Sequence, residues 1–200
     1  MKKSYNRLKI WECAALTALS IALLAGTWAQ ARQNSISSEL LRLHVIAVSD
    51  DEREQEIKLR VRDAVLLYLR PLLKDADSPD AAKKIICGNM KEIASAAQTA
   101  AEGRKVRVSF GKEAYPTRQY QGFTLPAGNY ESLRIVLGEG KGHNWWCIVF
   151  PPLCLDAAQA CQVQSVMSRD DYNIVSDSEG YELRFRIVEL WGEIVNRLEK

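Results

Sequence analysis

The sequence predicts an α+β domain in which amphipathic helices cover a mostly antiparallel sheet, preceded by an N-terminal signal or anchor helix. Three observations predict it. The periodic segments run strand, helix, helix, several strands, helix, so strands and helices do not alternate as a doubly wound parallel sheet requires. The chain opens on a basic and then apolar stretch. Its 200 residues are 47% hydrophobic and 26% charged, which suits one or two globular domains and excludes a mainly disordered chain.

Lys2, Lys3, Arg7 and Lys9 precede an apolar run from Ala14 to Ala25, followed by Gly26 and the tripeptide Ala29-Gln30-Ala31. This is the basic, apolar, small-residue order of a secretory signal, with cleavage expected between Ala31 and Arg32. An uncleaved anchor is the competing reading, because Ile10 to Ala31 is 22 residues and about 20 suffice to span a bilayer. Cations ahead of the segment keep the N-terminus in the cytoplasm and place the domain outside in either case. Residues 1–31 are thus read as signal or anchor, and residues 40–200 as one domain. The first 31 residues hold four of the 27 basic groups and one of the 25 acidic ones, leaving 23 against 24 in the remainder. Such a balanced body has no bulk attraction for nucleic acid.

Residues 40–48 (LLRLHVIAV) suit a strand, with Leu41, Leu43, Val45 and Ala47 on one face and Arg42, His44, Ile46 and Val48 on the other. Ser49 and Glu52 have capping-box spacing, and Asp50, Asp51 and Glu52 favour the positive end of a helix dipole. Ile57, Val61, Ala64, Val65, Tyr68 and Leu72 recur at helical steps, and Pro71 predicts an end near residue 70. Ser78-Pro79 announces a second helix whose apolar face includes Ile85, Ile86, Met90, Ile93 and Ala97, with Gly103 as terminator. Val106, Val108 and Phe110 alternate with Arg107 and Ser109; Leu133, Ile135 and Leu137 alternate likewise; Trp145 to Phe150 is apolar on both faces. The last two strands are expected to form a hairpin across residues 138–144. Asp156 to Val166 reads as a short helix, and Leu183 to Leu198 as a closing amphipathic one.

Cysteine chemistry follows from export. Cys87, Cys147, Cys154 and Cys161 remain beyond the signal, none in C-x-x-C spacing. Pro151-Pro152 can turn the chain between Cys147 and Cys154, which makes them the candidate bridge; four free thiols are the open alternative, and Cys87, on a helix, is expected to stay unpaired. With His44 and His143 the only histidines, a structural metal site has little support, and no cofactor is expected.

Two clusters invite a functional reading. His44, Ser49 and Asp50 place a base, a hydroxyl and a carboxylate where a strand feeds a helix, which suggests a secreted hydrolase using His44 and Asp50. Against it, Ser49 and Asp50 serve as caps and no G-x-S-x-G elbow surrounds Ser49. Gly138 to Gly142 (GEGKG) lacks phosphate-loop spacing and reads instead as a loop presenting Lys141, His143 and Asn144 beside Trp145 and Trp146. Adjacent tryptophans in a strand must point to opposite faces, so each either joins a core or offers a contact. His44, Asp50, Lys141, His143, Asn144, Trp145 and Trp146 are the candidate partner-binding residues; catalytic residues are not expected.

Leu41-Arg42-Leu43-His44-Val45-Ile46-Ala47, Ser49-Asp50, Lys58 and Val61 to Leu66 resemble the opening motif of the stage II sporulation protein R family. Leu125 to Tyr130, Leu133-Arg134-Ile135, Gly138-Glu139-Gly140, Gly142, Asn144 to Cys147 and Phe150 to Cys154 resemble a second, longer block, and Leu183 to Glu189 a third. Val48 departs from the asparagine usual there. The resemblance implies a non-enzymatic signal made in the forespore and exported to the space between forespore and mother-cell membranes. Its implied partner is a membrane-embedded aspartic protease, which then processes a mother-cell sigma factor precursor.

Overall fold

The computed structural model describes residues 2–120 and 123–151 together with Asp171 and Val175, with side chains from Lys9 onward. The expected helices at 156–166 and 183–198, Cys154 and Cys161 lie outside the described residues.

A helix α1 (Lys2–Ser38) opens the chain and is followed by strand β1 (Leu41–Ile46), helices α2 (Glu52–Leu73), α3 (Pro79–Gly88) and α4 (Met90–Ala100), and strands β2 (Val106–Tyr115), β3 (Arg118–Tyr120), β4 (Phe123–Leu125), β5 (Gly128–Leu137) and β6 (Asn144–Phe150). The fold is α+β. Four strands form the main sheet in the order β2-β5-β1-β6, and β3 pairs with β4 in a separate hairpin. Within the main sheet β1 runs parallel to β5 and antiparallel to β6, while β2 is antiparallel to β5.

The expected β5–β6 hairpin is therefore corrected. The two strands run in opposite directions, but β1 lies between them, hydrogen-bonded to both. Every side chain of β1 is consequently buried. Leu41, Leu43 and Val45 join Ile57, Val61, Val65, Leu69, Ile86, Ile93, Leu133 and Ile135 in a core between the sheet and α2–α4. The opposite face carries a second core of Ile36, Leu40, Tyr115, Phe123, Leu125, Tyr130 and Ile148 under the end of α1 and the β3–β4 hairpin. The two faces of β1 thus fall as the alternation predicts.

Three helix expectations change. Pro71 lies inside α2, which continues to Leu73. Pro71 and Leu67, four residues earlier, are exposed, so water can solvate the carbonyl that the ring cannot serve, while buried Leu69 and Leu73 hold the last turn in the core. The second predicted helix divides at Asn89, whose side chain donates to the Ile85 carbonyl (2.8 Å) and accepts from the Tyr68 hydroxyl (3.0 Å). The capping box does not form: Ser49 donates to Asp51 (2.6 Å), and the N-cap Asp51 makes no side-chain cap. Ser78 does cap α3, accepting from the Ala81 amide (3.3 Å) ahead of Pro79.

The apolar part of α1, Lys9–Ser38, is long and apolar enough to cross a membrane, and none of its most apolar window is buried. It fits a signal or anchor segment. Beyond Ala31 the same helix changes character: Gln33 and Ile36 are buried, and Ser35 donates to buried Asp171 (2.6 Å).

Candidate functional site

The segment 138–143 is a strap across the end of β1. Its Lys141 and Gly142 amides donate to the Val48 and Ala47 carbonyls at 3.3 and 3.0 Å. Gly138 and Gly140 have φ of +56° and +67°, where glycine is unstrained. Gly142 is required by contact instead: a Cβ there would lie 2.2 Å from the Ser49 carbonyl oxygen. The glycines thus let one backbone lie on another, which explains the GEGKG composition without any phosphate.

The strap is fastened to α2. Asp50 accepts from the His143 amide (2.6 Å) and pairs with the His143 ring (2.5 Å). Lys58, buried on α2, donates to Gln55 (2.5 Å) and to the His143 carbonyl (3.2 Å), and Gln55 donates in turn to the Ser49 carbonyl (2.8 Å). Burial holds the Lys58 ammonium below its usual range, with Asp50 opposing that shift and Arg62 adding to it. Asp50, Lys141, His143, Asn144, Trp145 and Trp146 line one open cavity of about 680 Å³, joined there by Arg118, Gln119 and Tyr120 of β3. Six of the seven predicted contact residues are thus brought together.

His44 is not among them. It is 6% exposed and packs against Trp146, with ring centroids 5.4 Å apart. Its Nδ1 is 2.8 Å from Glu113 of β2. The His44–Asp50 arrangement that the hydrolase reading requires is accordingly absent: Asp50, at the β1–α2 junction, pairs with His143 of the strap, and His44 pairs with Glu113. Burial pushes the Glu113 carboxyl up, but the hydrogen bond and charge of His44, with Arg134 and Ser132, outweigh it and hold the carboxyl below its usual range. Ser132, which hydrogen-bonds Glu113, is buried and shares a 2.7 Å hydrogen bond with Tyr115. His44 Nε2 is buried without a partner among the described residues. No side chain stands positioned as a nucleophile on that nitrogen among the described residues.

The two tryptophans divide between the cores as their adjacency requires. Trp145 packs on the α2–α4 side, with the Arg62 guanidinium 4.8 Å from its ring. Trp146 packs on the other side, with Arg118 4.0 Å from its ring. Both are half-buried and both border the cavity.

Sequence reasoning passed over Arg42, Glu113, Arg118 and Tyr120. Arg42 is fully buried, donates to the Tyr120 hydroxyl (2.5 Å) and lies 4.1 and 5.0 Å from the Tyr115 and Tyr130 rings. The signal available was a charged residue inside an apolar run; its aromatic surroundings come from β2, β3 and β5 and have no local signature. Cys87 is a free, exposed thiol, as expected. Cys147 is disulfide-bonded, whereas the Cys147–Cys154 pairing itself lies outside the described residues. No group of three or more His, Cys, Asp or Glu side chains suited to a metal occurs among the described residues.

Fold and site together define a class: an α+β domain carried on an apolar N-terminal helix that fits a signal or anchor, with an open polar and aromatic cavity beside one edge of its sheet. Within that class the chain belongs to the stage II sporulation protein R family, whose model matches residues 37–160. Stage II sporulation protein R of Bacillus subtilis (strain 168) is 37% identical over 123 residues, 60% of this chain and 55% of that protein. The chain thus spans about half the length of the curated relative it matches. No solved structure matches.

Proposed function

We propose that this protein is a sporulation signal that acts by contact and has no catalytic role. It is exported from the forespore on α1 and meets, in the space between forespore and mother-cell membranes, a membrane-embedded aspartic protease that then processes a mother-cell sigma factor precursor. The contact surface is the strap and its surroundings: Asp50, Lys141, His143, Asn144, Trp145 and Trp146.

One observation carries the reading. Six of the seven predicted contact residues converge on an open cavity edged by two half-buried tryptophans, while His44, the histidine an enzyme would use, is buried against Trp146. Partly exposed tryptophan next to charged groups suits a binding hot spot. A hydrolase using His44 and Asp50 needs both in one cleft, and they hold separate partners.

Co-expression of the full chain with the cognate protease and sigma precursor tests it. Precursor cleavage is expected with wild type and without it only in traces. Trp146→Ala and His143→Ala should reduce cleavage while the protein stays folded and exported. His44→Gln should retain part of the activity and His44→Ala less, because glutamine keeps a hydrogen bond to Glu113. Equal, complete loss in both folded His44 variants would indicate a titrating base and overturn the reading.

A further inference from the structure

The Arg42 guanidinium is fully buried, yet among the described residues its Nε and Nη1 have no hydrogen-bond partner and its Nη2 reaches only the Tyr120 hydroxyl. A buried cation is ordinarily paired with a carboxylate. Here its neighbours are the rings of Tyr115, Tyr120 and Tyr130, at 4.1, 5.8 and 5.0 Å. A second guanidinium, Arg118, stands close enough for the two to oppose each other's charge, and its Nε is also buried without a partner. Glu113, on the same strand as Tyr115, is committed to His44, Arg134 and Ser132.

Two unneutralised guanidiniums side by side are unfavourable alone and become favourable around an anion. The route from solvent is present. Arg118, Tyr120 and Trp146 line the open cavity, and Tyr120 is also the residue that hydrogen-bonds Arg42, so its side chain is the shared wall. The rest of the cavity wall includes Trp145, Asn144 and Asp50. Aromatic walls suit the methylenes of a side chain, and Asp50 in the lining opposes a doubly charged anion such as phosphate more than a singly charged carboxylate.

We infer that the cavity is an acceptor for a carboxylate side chain, a glutamate or aspartate of the protein partner. The carboxylate is held by Arg118 and reaches Arg42 as the Tyr120 hydroxyl gives way. This rests on the contact reading above and specifies its chemistry.

The test uses the full chain labelled with ¹⁵N, in neutral detergent, titrated with glutamate blocked at both ends as its N-acetyl, N-methylamide. Saturable shifts of the Trp146 indole are expected with blocked glutamate and not with blocked glutamine. Arg118→Gln, shown to be folded by its thermal transition, should weaken the response roughly tenfold or more, the scale of a charged hydrogen-bonded contact. Lys112→Gln, removing an exposed cation of β2, should leave it unchanged. The same Arg118→Gln chain should lose most precursor cleavage. Equal response to blocked glutamine, stronger response to inorganic phosphate, or insensitivity to Arg118→Gln would overturn the inference. So would full precursor cleavage by Arg118→Gln. Failure to bind glutamate by a wild-type chain that still drives cleavage removes this inference alone; a wild-type chain that drives no cleavage removes the contact reading, whatever glutamate does.

Discussion

Substituting Gly142 with alanine tests whether the strap depends on backbone-to-backbone contact. The added Cβ would stand 2.2 Å from the Ser49 oxygen, 2.5 Å from its carbonyl carbon and 2.9 Å from the Ala47 Cβ. Two of those neighbours are backbone atoms at the β1–α2 junction, which cannot rotate away as a flexible side-chain end would. The strap must lift, weakening the Gly142 amide bond to Ala47 and the Lys141 bond to Val48. Overpacking costs about 1–3 kcal/mol, and each weakened hydrogen bond about 1 kcal/mol more. The expected loss is thus about 3–5 kcal/mol, which at about 2–4 °C per kcal/mol lowers Tm by roughly 6–20 °C. Gly111→Ala is the control, since nothing lies within 4 Å of a Cβ at that exposed strand position. Urea and thermal unfolding of the two variants beside wild type measure the difference. A Gly142→Ala chain within about 0.5 kcal/mol of wild type would refute the reasoning, because exposed substitutions alone reach that scale.

Glu113 supplies a pH test. Its carboxyl is held below the ordinary value of 4.5, so its contribution to stability is present above the unfolded-state value and is lost as pH falls through the folded one. Stability measured from pH 7 down to pH 3 should fall less steeply for Glu113→Gln, and an unchanged slope would contradict the pairing with His44. Leu43→Ala, at a fully buried position of β1, should cost about 2–5 kcal/mol in urea unfolding. Lys58→Met should keep the apolar packing of the stem while freeing the His143 carbonyl, giving a modest stability change and a larger fall in precursor cleavage. N-terminal sequencing of the exported protein should give Arg32 as its first residue if α1 serves as a cleaved signal; Met1 in the membrane fraction establishes an anchor instead.

Much of the fold was legible because it follows from period. Alternation in residues 41–47 assigned each β1 side chain to its face, and the spacing of Ile57, Val61 and Val65 assigned the inner face of α2, since a strand repeats every two residues and a helix every 3.6. The adjacency of Trp145 and Trp146 likewise sent one ring to each core. These are local consequences of backbone geometry, and no partner is needed to state them.

What tertiary structure decided is who meets whom. A glycine-rich connection between two strands reads as a hairpin, yet β1, some ninety residues upstream, inserts between β5 and β6, where all of its side chains are buried at the centre of the sheet. That insertion turns the loop into a strap, gives Asp50 to His143, and leaves His44 to Glu113. It also buries Arg42 among tyrosines drawn from three other strands. A residue's own neighbours in sequence fix its direction relative to the backbone; the identity of its partner across the sheet depends on strand order, and that is set by the burial of the whole chain.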